Sequence, residues 1–301
     1  MRRFLRHMAL FVLPVLAVAI VLEIVAENIP NSYTYKREYM EQKGASVQTL
    51  ILGSSNAYDD FCSAELPEAF NLANSSQTLE DDYRLLSRFI DDMDSLKTVI
   101  VGLGYHSLGS TSKDNRRMYY TIYMGLYPRW PISKYSFEVC NLELLTKKII
   151  KYMVSRDVTR CDSLGQRVGH TAAAVRDKKE FWNKDVETLA ANDRFDVQRS
   201  SKVIECNVHY LHAIADVCAA RDIRFIVVNM PVKAEYKECL PVEQLALQEV
   251  VLQDMSSSAI VIDASDWQIP ADGWYNATHL TREAAVDFTR QIREEISTCI
   301  E

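Results

Sequence analysis

The chain has 301 residues, 48% of them hydrophobic and 25% charged, with a net charge of −7. That apolar content, with only 9 glycines and 8 prolines, excludes a disordered or fibrous chain. The acidic balance and the lack of any long basic run argue against nucleic acid as a partner. Seven cysteines, at 62, 140, 161, 206, 218, 239 and 299, form no C-x-x-C pair, so neither a zinc site nor a disulfide framework is expected, and no cofactor is implied.

The chain begins with Arg2, Arg3 and Arg6, followed by 19 mostly apolar residues from Met8 to Ala26 in which only Glu23 is charged. This is close to the ~20 residues that span a bilayer. A cleaved signal peptide starts in a similar way, and a soluble apolar helix is the third alternative. The run is long for a signal sequence, and Glu27 follows Ala26 without a clear A-x-A site, which favours an uncleaved anchor. The arginines favour the N-terminus inside. Residues 1–27 are therefore expected to be a cytoplasmic tip and single-pass anchor in the inner (cytoplasmic) membrane, with residues 8–26 in the bilayer. The remainder is then expected in the periplasm or outside the cell. Residues 28–46 are polar and are read as a stalk or linker. Residues 47–301 are read as one α/β domain.

Within that domain "VQTLILGSS" predicts a buried strand and "AFNLANSSQ" a shorter one. Leu79, Tyr83, Leu86, Phe89, Ile90 and Met93 recur at helical spacing. "KTVIVGLGYHS" predicts a third strand. A helix with Ile204, Val208, Leu211, Ile214 and Cys218 on one face leads into "IRFIVVNMP", a fourth strand stopped by Pro231. "SAIVIDASD" is the fifth. The last helix turns Ala285, Phe288, Ile292 and Ile296 inward. Short apolar strands alternating with helices predict a doubly wound parallel five-stranded sheet, a flavodoxin-like α/β/α arrangement covered on both faces. Residues from about 107 to 201 are too many for one connection and are expected to be a mainly helical insertion. Its aromatic stretch, with Tyr119, Tyr120, Tyr123, Tyr127, Trp130 and Tyr135, is expected to pack as a lid that shapes access. Sugar stacking and membrane-interface contact are the alternatives.

Parallel sheets bind ligands beyond the carboxyl ends of their strands. Three such ends carry chemistry: Gly53-Ser54-Ser55, "NLANSSQT" and "GLGYHS". A late histidine, His279 in "WYNATHLTREAA", stands just before a helix start at Thr281.

These blocks, in this order, resemble the SGNH/GDSL hydrolase family, from Val47 to the C-terminus apart from the insertion. The family opens with G-D-S-like residues after strand one, so the resemblance implies Ser55 as nucleophile, with Ser54 where Asp is commoner. Its second block supplies an oxyanion-hole N–H, and the matching place is Ser76. Its third block is G-x-N, and Gly104-Tyr105-His106 puts His106 at the donor position. Ser55, Ser76 and His106 are the implied oxyanion donors. Its closing D-x-x-H reads Asn276-Ala277-Thr278-His279, which implies His279 as base with Asn276 in place of the acid. Asp263, Asp266 and Asp272 lack the usual spacing from His279. The sequence looks most like membrane-tethered members found beside surface-polysaccharide and wall-modification systems, where G-S-S is frequent in the first block. The resemblance implies a serine esterase or acyltransferase acting on an acylated glycan or small ester, with a membrane acyltransferase as a possible partner. The rival is a catalytically silent SGNH-like protein that binds glycan or a partner enzyme. A serine hydroxyl needs a base near neutral pKa, and the resulting oxyanion needs N–H donors. A strand end supplies both.

Overall fold

The computed structural model describes residues 1–155, 159–169, 171 and 186–299. They form two compact units: Met1–Glu38 with Lys113–Arg160, and Tyr39–Ser112 with Cys161–Glu301.

The first unit starts with helix α1, Arg2–Glu27. Its 26 residues extend about 39 Å, and it is the one described helix long and apolar enough to cross a membrane. Helix α2, Ser32–Lys43, begins in this unit. The segment expected as a stalk is therefore largely helical. Asn31 explains the start: its Oδ1 accepts the N–H groups of Tyr33 and Thr34, both at 3.0 Å. Tyr33, Lys36 and Met40 then recur at helical spacing and are buried, although the overall composition is polar. The unit is completed by α5, Asp114–Ile122, and α6, Leu142–Ser155, with a 3-10 turn at Glu138–Cys140 between them.

Glu23, the one charge inside the apolar run, has a structural task here. Its carboxylate accepts the N–H groups of Glu138 and Val139 at 3.0 and 2.9 Å. Lys148 Nζ donates to the Ala26 carbonyl at 2.7 Å and pairs with the fully buried Glu138 at 2.8 Å. Arg129 pairs with Glu27 at 2.9 Å. The aromatic stretch packs inside this unit: Tyr33 lies 5.2 Å from Tyr119 and 5.1 Å from Tyr120, centroid to centroid. Trp130 is exposed.

The second unit holds the sheet. Its strands are β1 Thr49–Gly53, β2 Ala69–Asn71, β3 Thr98–Leu103, β4 Arg224–Asn229 and β5 Ile260–Asp263, all parallel, in the order β2-β1-β3-β4-β5. This is the doubly wound α/β sheet that the sequence predicts. On one face Ile51, Ile100 and Ile226 stand in register and meet Phe288 and Ile292 of α11, Arg282–Thr298, together with Ala57 and Phe61 near α3, Ser55–Asp60. On the other lie α4, Leu79–Phe89, α8, Ser201–Ala219, and α10, Val242–Met255. Tyr83 and Tyr210 join α4 to α8 at 5.6 Å, and His212 and Asp254 join α8 to α10 at 2.8 Å. Short helices α7, Val186–Asp193, and α9, Ala234–Glu238, complete the unit.

The expected insertion at about 107–201 is divided: Lys113–Arg160 belongs to the first unit and the described remainder to the second. Within that range residues 156–158, 170 and 172–185 lie outside the described residues. Cys62, Cys140, Cys206, Cys218, Cys239 and Cys299 are free thiols.

Two glycines let α3 lie close to the sheet. A Cβ on Gly53, whose φ is +125°, would stand 2.7 Å from the Gly102 carbonyl and 2.9 Å from Ala57 Cβ. A Cβ on Gly102 would meet Ala57 Cβ at 2.8 Å. Beside them Asp82 is buried, and its Oδ1 accepts the Gly53 N–H at 2.8 Å and Gln77 Nε2 at 2.5 Å. Burial pushes its pKa up to about 7. An acid whose pKa rises on folding stabilises the native state fully below its ordinary value of 3.8, and that contribution is lost as pH rises through about 7. The urea midpoint of the chain is therefore expected to fall between about pH 5 and about pH 8. Asp82→Asn, which keeps the accepting Oδ1, is expected to flatten the fall. An equally steep fall in that variant would exclude Asp82 as its source.

Candidate active site

β1 ends at Gly53, and Ser54 serves as the N-terminal cap residue of α3. Ser54 is 2% exposed, and its Oγ comes no closer than 3.5 Å to Asn56 Oδ1. Ser55, the first residue of α3, is half-buried and is the more exposed of the two adjacent serines.

The closing block forms a tight loop ahead of α11. Trp274 pairs with Leu280, and the His279 carbonyl accepts the Tyr275 N–H at 2.9 Å. Thr281 caps α11 by accepting the Ala284 N–H. Three side chains of α3 hold this loop. Asn56 Nδ2 donates to the Thr278 carbonyl at 2.5 Å, Asp60 Oδ1 accepts the Leu280 N–H at 2.8 Å, and Asp59 Oδ2 lies 3.4 Å from His279 Nε2. The residue after Ser55 is thus bonded to the residue before His279.

The imidazole is oriented from its other side. Nδ1 lies 3.2 Å from Asn276 Oδ1 and 2.9 Å from Thr278 Oγ1. Asn276 Oδ1 also accepts the Thr278 N–H at 2.8 Å, which fixes the amide with its oxygen toward the ring. A carbonyl oxygen only accepts, so Asn276 Oδ1 can take a proton carried on Nδ1, while Nε2 faces a second acceptor, the Asp59 carboxylate.

Asp59 was not singled out by the sequence. Its carboxylate is fully buried and bridges His279 to Arg167, whose Nε lies 3.0 Å from Oδ1. The Asp59 carboxylate is therefore placed to stabilise an imidazolium formed at His279, and it shares its charge with Arg167. Next to it, burial holds the Asp60 carboxyl well above the usual carboxylate range, and the charge of Asp59 adds to the rise. Arg167 is fixed in place: its N–H donates to the Tyr58 carbonyl at 3.0 Å, its guanidinium lies 4.9 Å from the Tyr58 ring centroid, and it contacts Ser75 Oγ.

The second block is a turn in which the Gln77 N–H reaches the Asn74 carbonyl at 3.1 Å, with Ser76 at φ +58°. Ser76 thus holds the left-handed conformation that glycine adopts most readily, and it is half-buried. Asn74 N–H meets the Gly53 carbonyl at 3.3 Å, beside the serine turn. Asn74 itself is 3% exposed, and its Nδ2 has no hydrogen-bond partner among the described residues. In the third block a Cβ on Gly104 would stand 2.8 Å from Asn56 Oδ1 and 3.0 Å from His106 Cε1, so the His106 ring covers Gly104 on the side of Asn56. Ser55, His279 and Asn276 are therefore linked through α3, and His106 approaches the same helix. Ser76 follows Ser75, which is tied to the cluster through Arg167.

No protein-family model and no curated protein matches this sequence. Among solved structures, a Bacteroides fragilis protein described as an acylhydrolase shares 7% identity and a TM-score of 0.43, covering 87% of this chain and 96% of its own. A Streptococcus pneumoniae protein described as a platelet activating factor shares 10% identity and a TM-score of 0.41, covering 95% of this chain and 98% of its own. At these values neither protein's activity transfers to this chain.

Proposed function

We propose that the chain is a membrane-anchored, extracytoplasmic serine esterase or acyltransferase with an SGNH-like site. The observation that supports this most is the hold of α3 on the His279 loop through Asn56, Asp59 and Asp60. In this mechanism His279 Nε2 takes the proton of Ser55 Oγ as that oxygen attacks an ester carbonyl. The imidazolium is stabilised by Asp59, and Asn276 holds Nδ1–H. His279 then returns the proton to the leaving alcohol. Water resolves the acyl-serine in hydrolysis, and an acceptor hydroxyl resolves it in transfer. The substrate class, an acylated surface glycan, and a partner membrane acyltransferase follow from the sequence resemblance. The inside orientation of the N-terminus, and with it the placement of the second unit beyond the inner membrane, follows from Arg2, Arg3 and Arg6 ahead of the apolar span.

The rival reading is a silent binding protein, favoured by Asn276 at the acid position and His106 at the donor position. Labelling of the purified full chain by a fluorophosphonate separates the two readings: covalent labelling supports the enzyme, and its absence from folded protein supports the binder.

A further inference from the structure

The first unit contains a cavity of about 260 Å³ whose lining includes Arg116, Lys147, Lys148, Lys151 and Arg160, with Tyr33 at its wall. Among the described residues that line it, five are cationic and none is acidic. Arg116 is fixed by a hydrogen bond to Tyr33 Oη at 3.2 Å. Lys148 is partly neutralised by Glu138 at 2.8 Å, and Lys147 by Glu143 at 2.5 Å. Neither carboxylate lines the cavity. A concave site with this balance attracts an anion.

Two further observations identify the anion. First, the cavity lies at the end of the apolar helix. Lys148 reaches the Ala26 carbonyl, and Glu23 caps the turn that leads into α6. Second, α6 exposes apolar side chains toward its C-terminal end: Ile150, Met153 and Val154. At ~100° per residue these three fall within about 100° of the helix circumference, with Lys151 beyond their edge, while the exposed Glu143 and Thr146 share that sector near the start of the helix. Apolar side chains beside a lysine suit a helix end lying at a lipid headgroup layer.

We propose that this cavity binds the phosphate of an anionic membrane lipid, with the C-terminal end of α6 set against the adjoining acyl layer. The proposal rests on α1 spanning the bilayer. It goes beyond the ester chemistry, because all of its residues lie in the first unit. Its volume suits a headgroup, and Lys or Arg near an anionic surface contributes about 1 kcal/mol each.

The test uses the full chain in a neutral detergent. Native mass spectrometry reads binding of dioctanoyl phosphatidylglycerol, dioctanoyl phosphatidylcholine and inorganic phosphate. Wild type is expected to take one phosphatidylglycerol with at least tenfold preference over phosphatidylcholine. Lys151→Gln/Arg160→Gln is expected to lose that preference, because two charges at about 1 kcal/mol each correspond to roughly 30-fold. Arg199→Gln, an exposed cation of the second unit, is expected to keep it. If the double variant melts early, Arg160→Gln alone is read in its place, with a smaller loss. Equal binding of both lipids, a preference untouched by the substitutions, or phosphate binding without lipid preference overturns the proposal. Alkaline carbonate extraction of membranes tests the anchor separately. A chain released by carbonate that still prefers phosphatidylglycerol in detergent would refute the span and keep the site.

Discussion

Ser55→Ala is expected to abolish fluorophosphonate labelling and to reduce ester turnover by roughly 10³-fold or more, while Ser54→Ala remains labelled. Nucleophile removal in a serine protease cost on the order of 10⁶, and a slower starting enzyme leaves less to lose. The contrast between neighbours carries the test. Ser54 is 2% exposed at the cap of α3, and its hydroxyl makes only a 3.5 Å contact, so truncating it removes little. Ser55 is half-buried at the first turn, beside the residue that holds the His279 loop. Mass spectrometry of the labelled peptide identifies the modified side chain. Labelling that survives in Ser55→Ala, or that disappears equally in both variants, would assign the chemistry elsewhere.

Asn276→Asp is expected to raise ester turnover by at least tenfold, about 1.4 kcal/mol off the barrier. Asn276 Oδ1 already stands 3.2 Å from His279 Nδ1 and is held by the Thr278 N–H. A carboxylate of the same shape would therefore place its charge on the imidazolium without rearrangement. The converse change in a serine protease cost roughly 10⁴. The smaller gain expected here reflects Asp59, which already presents a charge 3.4 Å from Nε2. For the same reason Asp59→Asn should weaken turnover. The Asn276→Asp gain should be larger in that background. Equal gains with and without Asp59 would remove it from the site, and no gain in either folded background would favour the binding-protein reading.

The legible parts of the fold are those with a local pattern. All five strands are apolar runs because both faces of a parallel sheet are covered. α10 left no such trace, because two of its inward positions are glutamines. Gln244 bonds the Tyr105 and Asp193 carbonyls, and Gln248 bonds Asn229 Oδ1. α2 reads as a polar stalk because few of its side chains turn inward. The union of Lys113–Arg160 with the N-terminal helix depends on Glu23, which in sequence is only an exception within an apolar run. At the candidate site, Ser55 and His279 could be found because each sits in a short block at a strand end or helix start. Asp59 and Arg167 could not, since their contact joins residues 108 apart with no periodicity to mark it.

Glu23 also bears on maturation. A peptidase cutting after Ala26 would remove more than a leader. The N–H groups of Glu138 and Val139 would lose their acceptor, and Lys148 would lose the carbonyl it now reaches. Hydrogen bonds to a charged group contribute about 1.5–3 kcal/mol each, so the trimmed chain would start with a loosened first unit and a lysine–glutamate pair newly open to water. Secretion as a free, processed protein is therefore not a neutral alternative for this chain: the helix that would be discarded is a working part of the domain that follows it.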